Sequence, residues 1–160
     1  MSETSLQWKM PSPIGPLFLV ASEKGLQGIL WKAIEVKFVK SLRGNSKSEK
    51  TLLKTIQQLN EYFAGRRQIF DIPFDIKGTE FQNKVWQQLS RIPYGKTCSY
   101  KDIATKLKSN AVRAVGTANG RNPISIIVPC HRVITSGGKL GGYAGGQNRK
   151  TKLLELEQAI

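Results

Sequence analysis

The chain holds one histidine and two cysteines, and the histidine directly follows one of the cysteines. The pair lies in Val128-Pro129-Cys130-His131-Arg132-Val133. A thiol beside an imidazole suggests nucleophilic chemistry at sulfur. The thiolate is the reactive form, and a free cysteine is mostly thiol at neutral pH. Cys130 therefore needs a base or a positive surrounding, and His131 is the nearest base. A carboxylate behind the imidazole would orient it and stabilise its charge. Residues 77–160 contain four acids, Glu80, Asp102, Glu155 and Glu157. The two on the last helical segment, Glu155 and Glu157, are the natural partners. Neighbours on a strand point to opposite faces, so His131 would reach Cys130 through a turn or a bridging water. A buried, inert cysteine is the bland alternative.

The surrounding elements must position this pair. The apolar run Ile124-Ser125-Ile126-Ile127-Val128 leads in and Val133-Ile134 leads out, so two strand-like segments are expected to flank it. Upstream, Ser99-Tyr100-Lys101-Asp102 and Thr79-Glu80-Phe81-Gln82 have the form of capping boxes. The latter opens a helix expected to run through Arg91, with Phe81, Val85, Trp86 and Leu89 inward. The former opens a short helix with Ile103, Ala104 and Leu107 inward. A polar turn, Lys108-Ser109-Asn110, separates it from a helix over Ala111–Gly120 built of small residues and one arginine, Arg113. Two short helices about a tight turn make a helix-turn-helix candidate, and small side chains allow close approach to a partner helix or a nucleic-acid groove. Glycine pairs surround Tyr143, a loop suited to approaching a ligand through its backbone. Asn148–Ile160 is expected to form a last helix.

Residues 6–31 hold three β-type runs separated by Pro/Gly turns, the pattern of an antiparallel meander. Lys40–Lys50 reads as loop. Thr51–Phe63 has apolar residues at helical spacing. Phe70–Gly78 reads as a strand or extended linker between the halves. The expected fold is α+β. An N-terminal α/β domain with a small antiparallel sheet and a helix spans 1–76. A C-terminal, mostly helical domain with a winged-helix-like helix-turn-helix spans 77–160.

Charge separates the halves further. Residues 1–76 carry eight Lys and three Arg against five Glu and two Asp, net +4; residues 77–160 carry nine Lys and five Arg against three Glu and one Asp, net +10. That excess surrounds the Cys-His pair and is the footprint of a polyanion binder, most simply a nucleic acid. No stretch approaches the roughly 20 apolar residues of a membrane span, and the N-terminus has no signal-peptide core. A soluble intracellular protein with no membrane partner is expected. Two cysteines and one histidine without metal-ligand spacing make a metal site unexpected.

Pro129-Cys130-His131-Arg132-Val133, preceded by Asn122-Pro123-Ile124, resembles the signature of the O6-alkylguanine-DNA alkyltransferases, also called methylated-DNA–protein-cysteine methyltransferases. The likeness extends, in the family's order, through Phe81-Gln82 with Val85-Trp86, Ile92-Pro93-Tyr94-Gly95, Ser99-Tyr100, Arg113-Ala114-Val115-Gly116, Gly142-Tyr143-Ala144-Gly145-Gly146 and Leu153-Leu154 with Glu157. It is specific over roughly 77–158 and looser before that. The resemblance implies irreversible, single-turnover repair of double-stranded DNA containing O6-alkylguanine, with O4-alkylthymine left open. Cys130 would accept the alkyl group, His131 would act as base through water, Glu157 would orient it, and Asn122 would brace the turn. Arg113 would fill the gap left by a flipped nucleotide and Tyr100 would act at the rotated phosphate. Ala111, Gly116, Thr117, Lys101 and Ser136 would also meet DNA. Val133, Tyr143, Ala144 and Gly145 would hold the base. The resemblance further implies a monomer, no cofactor, and a cytoplasmic location, on the nucleoid when bound to DNA or nuclear in a eukaryote.

This chain departs from the family at Ala144, where many members carry serine, and at the turn 107–111, which lacks the usual proline and is one residue shorter. Some members hold zinc in the N-terminal domain, but residues 1–76 contain no Cys or His. Cys98 matches no role in the family and reads as structural. Rival readings are a damage sensor, which would lack the reactive cysteine; a cysteine hydrolase, which leaves Arg113 and the charge unexplained; and a plain helix-turn-helix regulator, which leaves Cys130-His131 unexplained.

Overall fold

The computed structural model describes residues 4–160, which fall into two compact units, one up to Lys77 and one from Gly78 onward. In the first unit β1 (Leu6–Met10), β2 (Leu17–Ser22) and β3 (Gly25–Leu30) form an antiparallel meander in that order. β2 is the central strand, and Leu17, Leu19, Val20 and Ala21 on it are fully buried. Helix α1 (Lys47–Phe63) lays Leu52, Leu59 and Tyr62 against the sheet.

The helix begins before the expected Thr51. Ser46 caps it, its hydroxyl accepting from the Glu49 N–H at 3.2 Å, and the Glu23 carboxylate accepts from the Ser48 N–H at 3.1 Å. A polar first turn carries no apolar periodicity, so the pattern shows only the later turns. Segment 70–78 is extended but makes a single bridge beside Leu26, whose N–H donates to Pro73 O and whose carbonyl accepts from the Asp75 N–H, both at 2.8 Å. A Cβ on Gly25 would lie 2.6 Å from the Pro73 carbonyl oxygen, so only glycine permits this approach.

The second unit contains α2 (Glu80–Leu89), β4 (Cys98–Ser99), α3 (Tyr100–Lys106), α4 (Val112–Gly120), a 3-10 turn over Cys130–Arg132, β5 (Val133–Ile134) and α5 (Gln147–Leu156). Both expected capping boxes form, at Thr79/Gln82 and Ser99/Asp102. α2 stops two residues short of the expected Arg91, and the chain leaves through a turn over Ser90–Ile92. Trp86 donates its indole N–H to Ala118 O at 2.9 Å, which ties α2 to α4 inside the core. β4 and β5 pair in parallel, Cys98 opposite Val133. α4 starts at Val112 rather than Ala111, which stands at its N-cap without a side-chain bond, and Lys108 in the preceding turn is left-handed (φ 55°). α5 ends at Leu156, and Glu157 occupies its C-cap.

One expectation near the site fails. Ile124–Val128 is a buried turn, not a strand. Its apolar residues serve the core, but Asn122 bends the backbone back on itself. The Asn122 amide donates to Val128 O at 2.7 Å while its oxygen accepts from the Ile124 N–H at 3.0 Å. Ile126 at the apex sits at φ 75°, a conformation that costs a β-branched residue about 1–3 kcal/mol.

Candidate active site

The Asn122 turn delivers Cys130 to the start of the 3-10 turn rather than onto a strand. Cys130 and His131 are therefore not held on opposite faces of a ladder. Cys130 is buried yet lines a cavity of about 540 Å³. Tyr100 from α3 forms part of that wall, as do Val112, Arg113, Gly116 and Asn119 from α4, and Gly141, Gly142, Tyr143 and Ala144 from the glycine-rich loop. A Cβ on Gly141, which has φ 75°, would sit 3.2 Å from the Tyr100 hydroxyl. The loop thus needs glycine there to pass the tyrosine.

Behind Cys130, His131 Nε2 lies 2.7 Å from Glu157 Oε2, with both side chains fully buried. Arg132 grips the same carboxylate twice, Nε to Oε1 at 2.7 Å and Nη2 to Oε2 at 3.1 Å, and donates to Ile92 O at 2.7 Å. A carboxylate accepts only, so Nε2 carries the imidazole proton and Nδ1 presents a lone pair. Nδ1 is buried with no hydrogen-bond partner among the described residues, so the ring makes no direct bond to the thiol. Burial holds His131 below the usual histidine value, with Glu157 opposing the shift. Burial pushes the Cys130 thiol up to about 11, and the Asn122 side chain and Lys150 pull the other way.

The other residues named from the sequence distribute as follows. Arg113 and Thr117 are exposed on α4, and the described residues offer Arg113 no ion pair. Ala111 is exposed at the α4 N-cap. Lys101 and Ser136 line a second, polar cavity of about 510 Å³ with Cys98 and Asp102. Burial and the neighbouring Asp102 push the Cys98 thiol up to about 11, which suits an inert role. Tyr143 and Ala144 border the Cys130 cavity, whereas Val133 is fully buried in β5 and Gly145 is not among the lining residues, its carbonyl accepting from Arg149 at 3.3 Å. Val133 leaves the wall because β5 pairs it with Cys98 in the core.

Two residues escaped the sequence reading. Arg132 was seen only as a flanking residue, though it is the main clamp on Glu157. Lys150 is fully buried at the start of α5. Its signal was its spacing: 150, 153, 154 and 157 form one inward stripe, with a lysine where an apolar residue is usual. Among the described residues no group of three His, Cys, Asp or Glu is placed to hold a metal, and no helix is long and apolar enough to cross a membrane.

The model of the 6-O-methylguanine DNA methyltransferase DNA-binding domain matches residues 80–159, and that of the same family's ribonuclease-like domain matches 7–76. The chain belongs to the methylated-DNA–protein-cysteine methyltransferase family. A family member from Mycobacterium bovis is 48% identical over 149 residues, covering 92% of this chain and 89% of its own length. One from Methanosarcina barkeri is 45% identical, covering 92% and 93%. The crystal structure of Mycobacterium tuberculosis OGT in complex with DNA superposes with a TM-score of 0.84 at 43% identity, over 96% of this chain and 93% of that one. Family membership gives the reaction class: this is a DNA-binding repair methyltransferase that moves an alkyl group onto a protein cysteine. The two-unit α+β architecture agrees with that family fold.

Proposed function

We propose that Cys130 is the acceptor, that the donor is O6-alkylguanine in double-stranded DNA, and that each molecule reacts once. The observation that carries this is a buried thiol lining the same cavity as Arg113 and the small residues of its helix. A stacked, paired guanine does not expose its O6 to in-line attack, so the nucleotide must be flipped into that cavity. Arg113 takes its place in the stack, from a helix whose small residues let the backbone approach the groove. Ala111, Gly116 and Thr117 contact the backbone on the same element, with Lys101 and Ser136 beside it. Tyr100 turns the phosphate and meets the base edge, and Tyr143 and Ala144 on the cavity wall hold the base. His131 Nδ1, through one water, takes the thiol proton while Glu157 fixes the ring. The thiolate sulfur then attacks the alkyl carbon and displaces guanine O6: the S–C bond forms, the C–O6 bond breaks with its electron pair left on guanine, and the proton taken from the thiol is returned to the nucleobase, so that S-alkylcysteine and guanine remain. Among the described residues lining the cavity Cys130 is the one thiol, and the S-alkylation is final. The DNA-binding and acceptor functions belong to 77–160, and the protein works as a cytoplasmic monomer.

A duplex containing O6-methylguanine tests the reading. The account expects a methyl adduct on the Cys130 peptide, absent from Cys130→Ala, which still binds the duplex. A label on Cys98 alone sinks it. A plain damage sensor would bind the lesion and leave every cysteine unmodified.

A further inference from the structure

The wall of the Cys130 cavity holds a polar atom that the proposed steps leave unused. Asn119 lies on α4, is 4% exposed, and lines the same cavity as Cys130. Its side-chain oxygen is buried with no hydrogen-bond partner among the described residues. The backbone around it is satisfied. Ala118 O accepts from the Trp86 indole at 2.9 Å, and Asn119 O accepts from the Asn122 N–H at 3.3 Å. These bonds fasten the end of α4 through its backbone and leave the Asn119 amide oxygen idle. A buried acceptor without a donor is costly to keep. An apolar side chain, like those of Val115 and Ala118 on the same helix, would avoid that cost.

The chemistry of the cavity's proposed occupant gives the oxygen a use. An amide oxygen only accepts, so it needs an N–H or O–H from whatever fills the cavity. The volume of about 540 Å³ lies within the roughly 300–1,000 Å³ of ligand pockets. Alkylation at O6 fixes the guanine ring in the form with no proton on N1. The 2-amino group is then the one N–H donor of the base. A hydroxyl on a longer alkyl chain is the other source of a donor. We infer that Asn119 is a specificity-determining residue: its side-chain oxygen accepts a hydrogen bond from the flipped nucleotide and selects substrates that carry a donor. A site built to bond a substrate N–H or O–H rejects the analogue lacking it, because the buried acceptor is then left unpaired.

This rests on the reading that a flipped O6-alkylguanine enters the cavity. The test is the single-turnover rate of Cys130 alkylation, read by mass spectrometry, from two pairs of duplexes. One pair carries O6-methylguanine or O6-methylhypoxanthine, which lacks the 2-amino group. The other carries O6-(2-hydroxyethyl)guanine or O6-propylguanine, in which a methyl replaces the hydroxyl. Wild type is compared with Asn119→Leu, nearly the same shape, and with Asn119→Ala, after their circular dichroism is confirmed. Replacing an orphaned acceptor by an apolar group of its own shape leaves the fold stable. The preference for the donor-bearing duplex should fall about tenfold in both variants for one of the pairs, and the pair that responds identifies the donor. A structural role, or an oxygen that binds only water, would slow all four reactions alike and leave both ratios as in wild type, which overturns the assignment. Wild type that alkylates Cys130 from none of the duplexes would instead refute the acceptor reading.

Discussion

At the scale of single residues, the site sets a reactive sulfur in surroundings that raise its pKa, and the groups that offset this are few and named. Asn122 acts first through geometry, since both ends of its amide hold the turn that aims Cys130. Asn122→Ala leaves Val128 O and the Ile124 N–H buried without partners. It should cost about 2 kcal/mol or more in urea unfolding and abolish alkyl transfer. Glu157 holds two partners in a dry site, so Glu157→Gln should destabilise by about 3–5 kcal/mol, read in the same assay. His131 has a folded value below its unfolded one of about 6.5. Protons therefore bind the unfolded chain more readily, and stability is full above about pH 6.5 and declines as the pH falls below it. Unfolding midpoints at pH 7.5 and 5.5 check the sign, and a higher midpoint at the acid value contradicts it. The Cys-His pair and the Glu157 choice were legible in sequence because motif and order carried them. Lys150 and Arg132 were not, because a buried cation looks like surface charge until its neighbours are known.

At the scale of elements, local signals were read well wherever side chain and backbone bond within one turn. Thr79/Gln82 and Ser99/Asp102 announced both helix starts. Ser99→Ala should cost about 1 kcal/mol by loss of the cap and loosen Tyr100, the first residue of α3, so duplex repair should slow along with the fall in stability. Ile124–Val128 misled the reading because an apolar run has the same appearance in a strand and in a buried turn. The information lay in Asn122, whose bonds to both ends of the run no periodicity reports. The start of α1 was missed for the opposite reason, a first turn of polar residues. On α4, Arg113→Ala should slow repair of duplex DNA far more than reaction with free O6-benzylguanine, since only the duplex needs its stack filled; equal losses would argue against that role.

At the scale of the molecule, charge and architecture both differ between the two units. The division near residue 77 was visible as a change in composition and charge, while the pairing of β4 with β5 was not, because two-residue strands carry no pattern. The net +10 after residue 76 makes DNA affinity strongly salt-dependent, with a log–log slope of roughly −0.9 for each phosphate neutralised. Titration against salt should show that slope fall by about one phosphate in Lys101→Ala, with Cys130 chemistry on free base unchanged. The central claim is that Cys130 is a sacrificial acceptor, and the most direct measurement is intact-mass spectrometry of the protein during titration with a duplex carrying O6-methylguanine. The account predicts a gain of one methyl group per molecule, on Cys130, with reaction stopping when lesion and protein have met one to one. Continued demethylation by a limiting amount of protein whose mass does not change would contradict it.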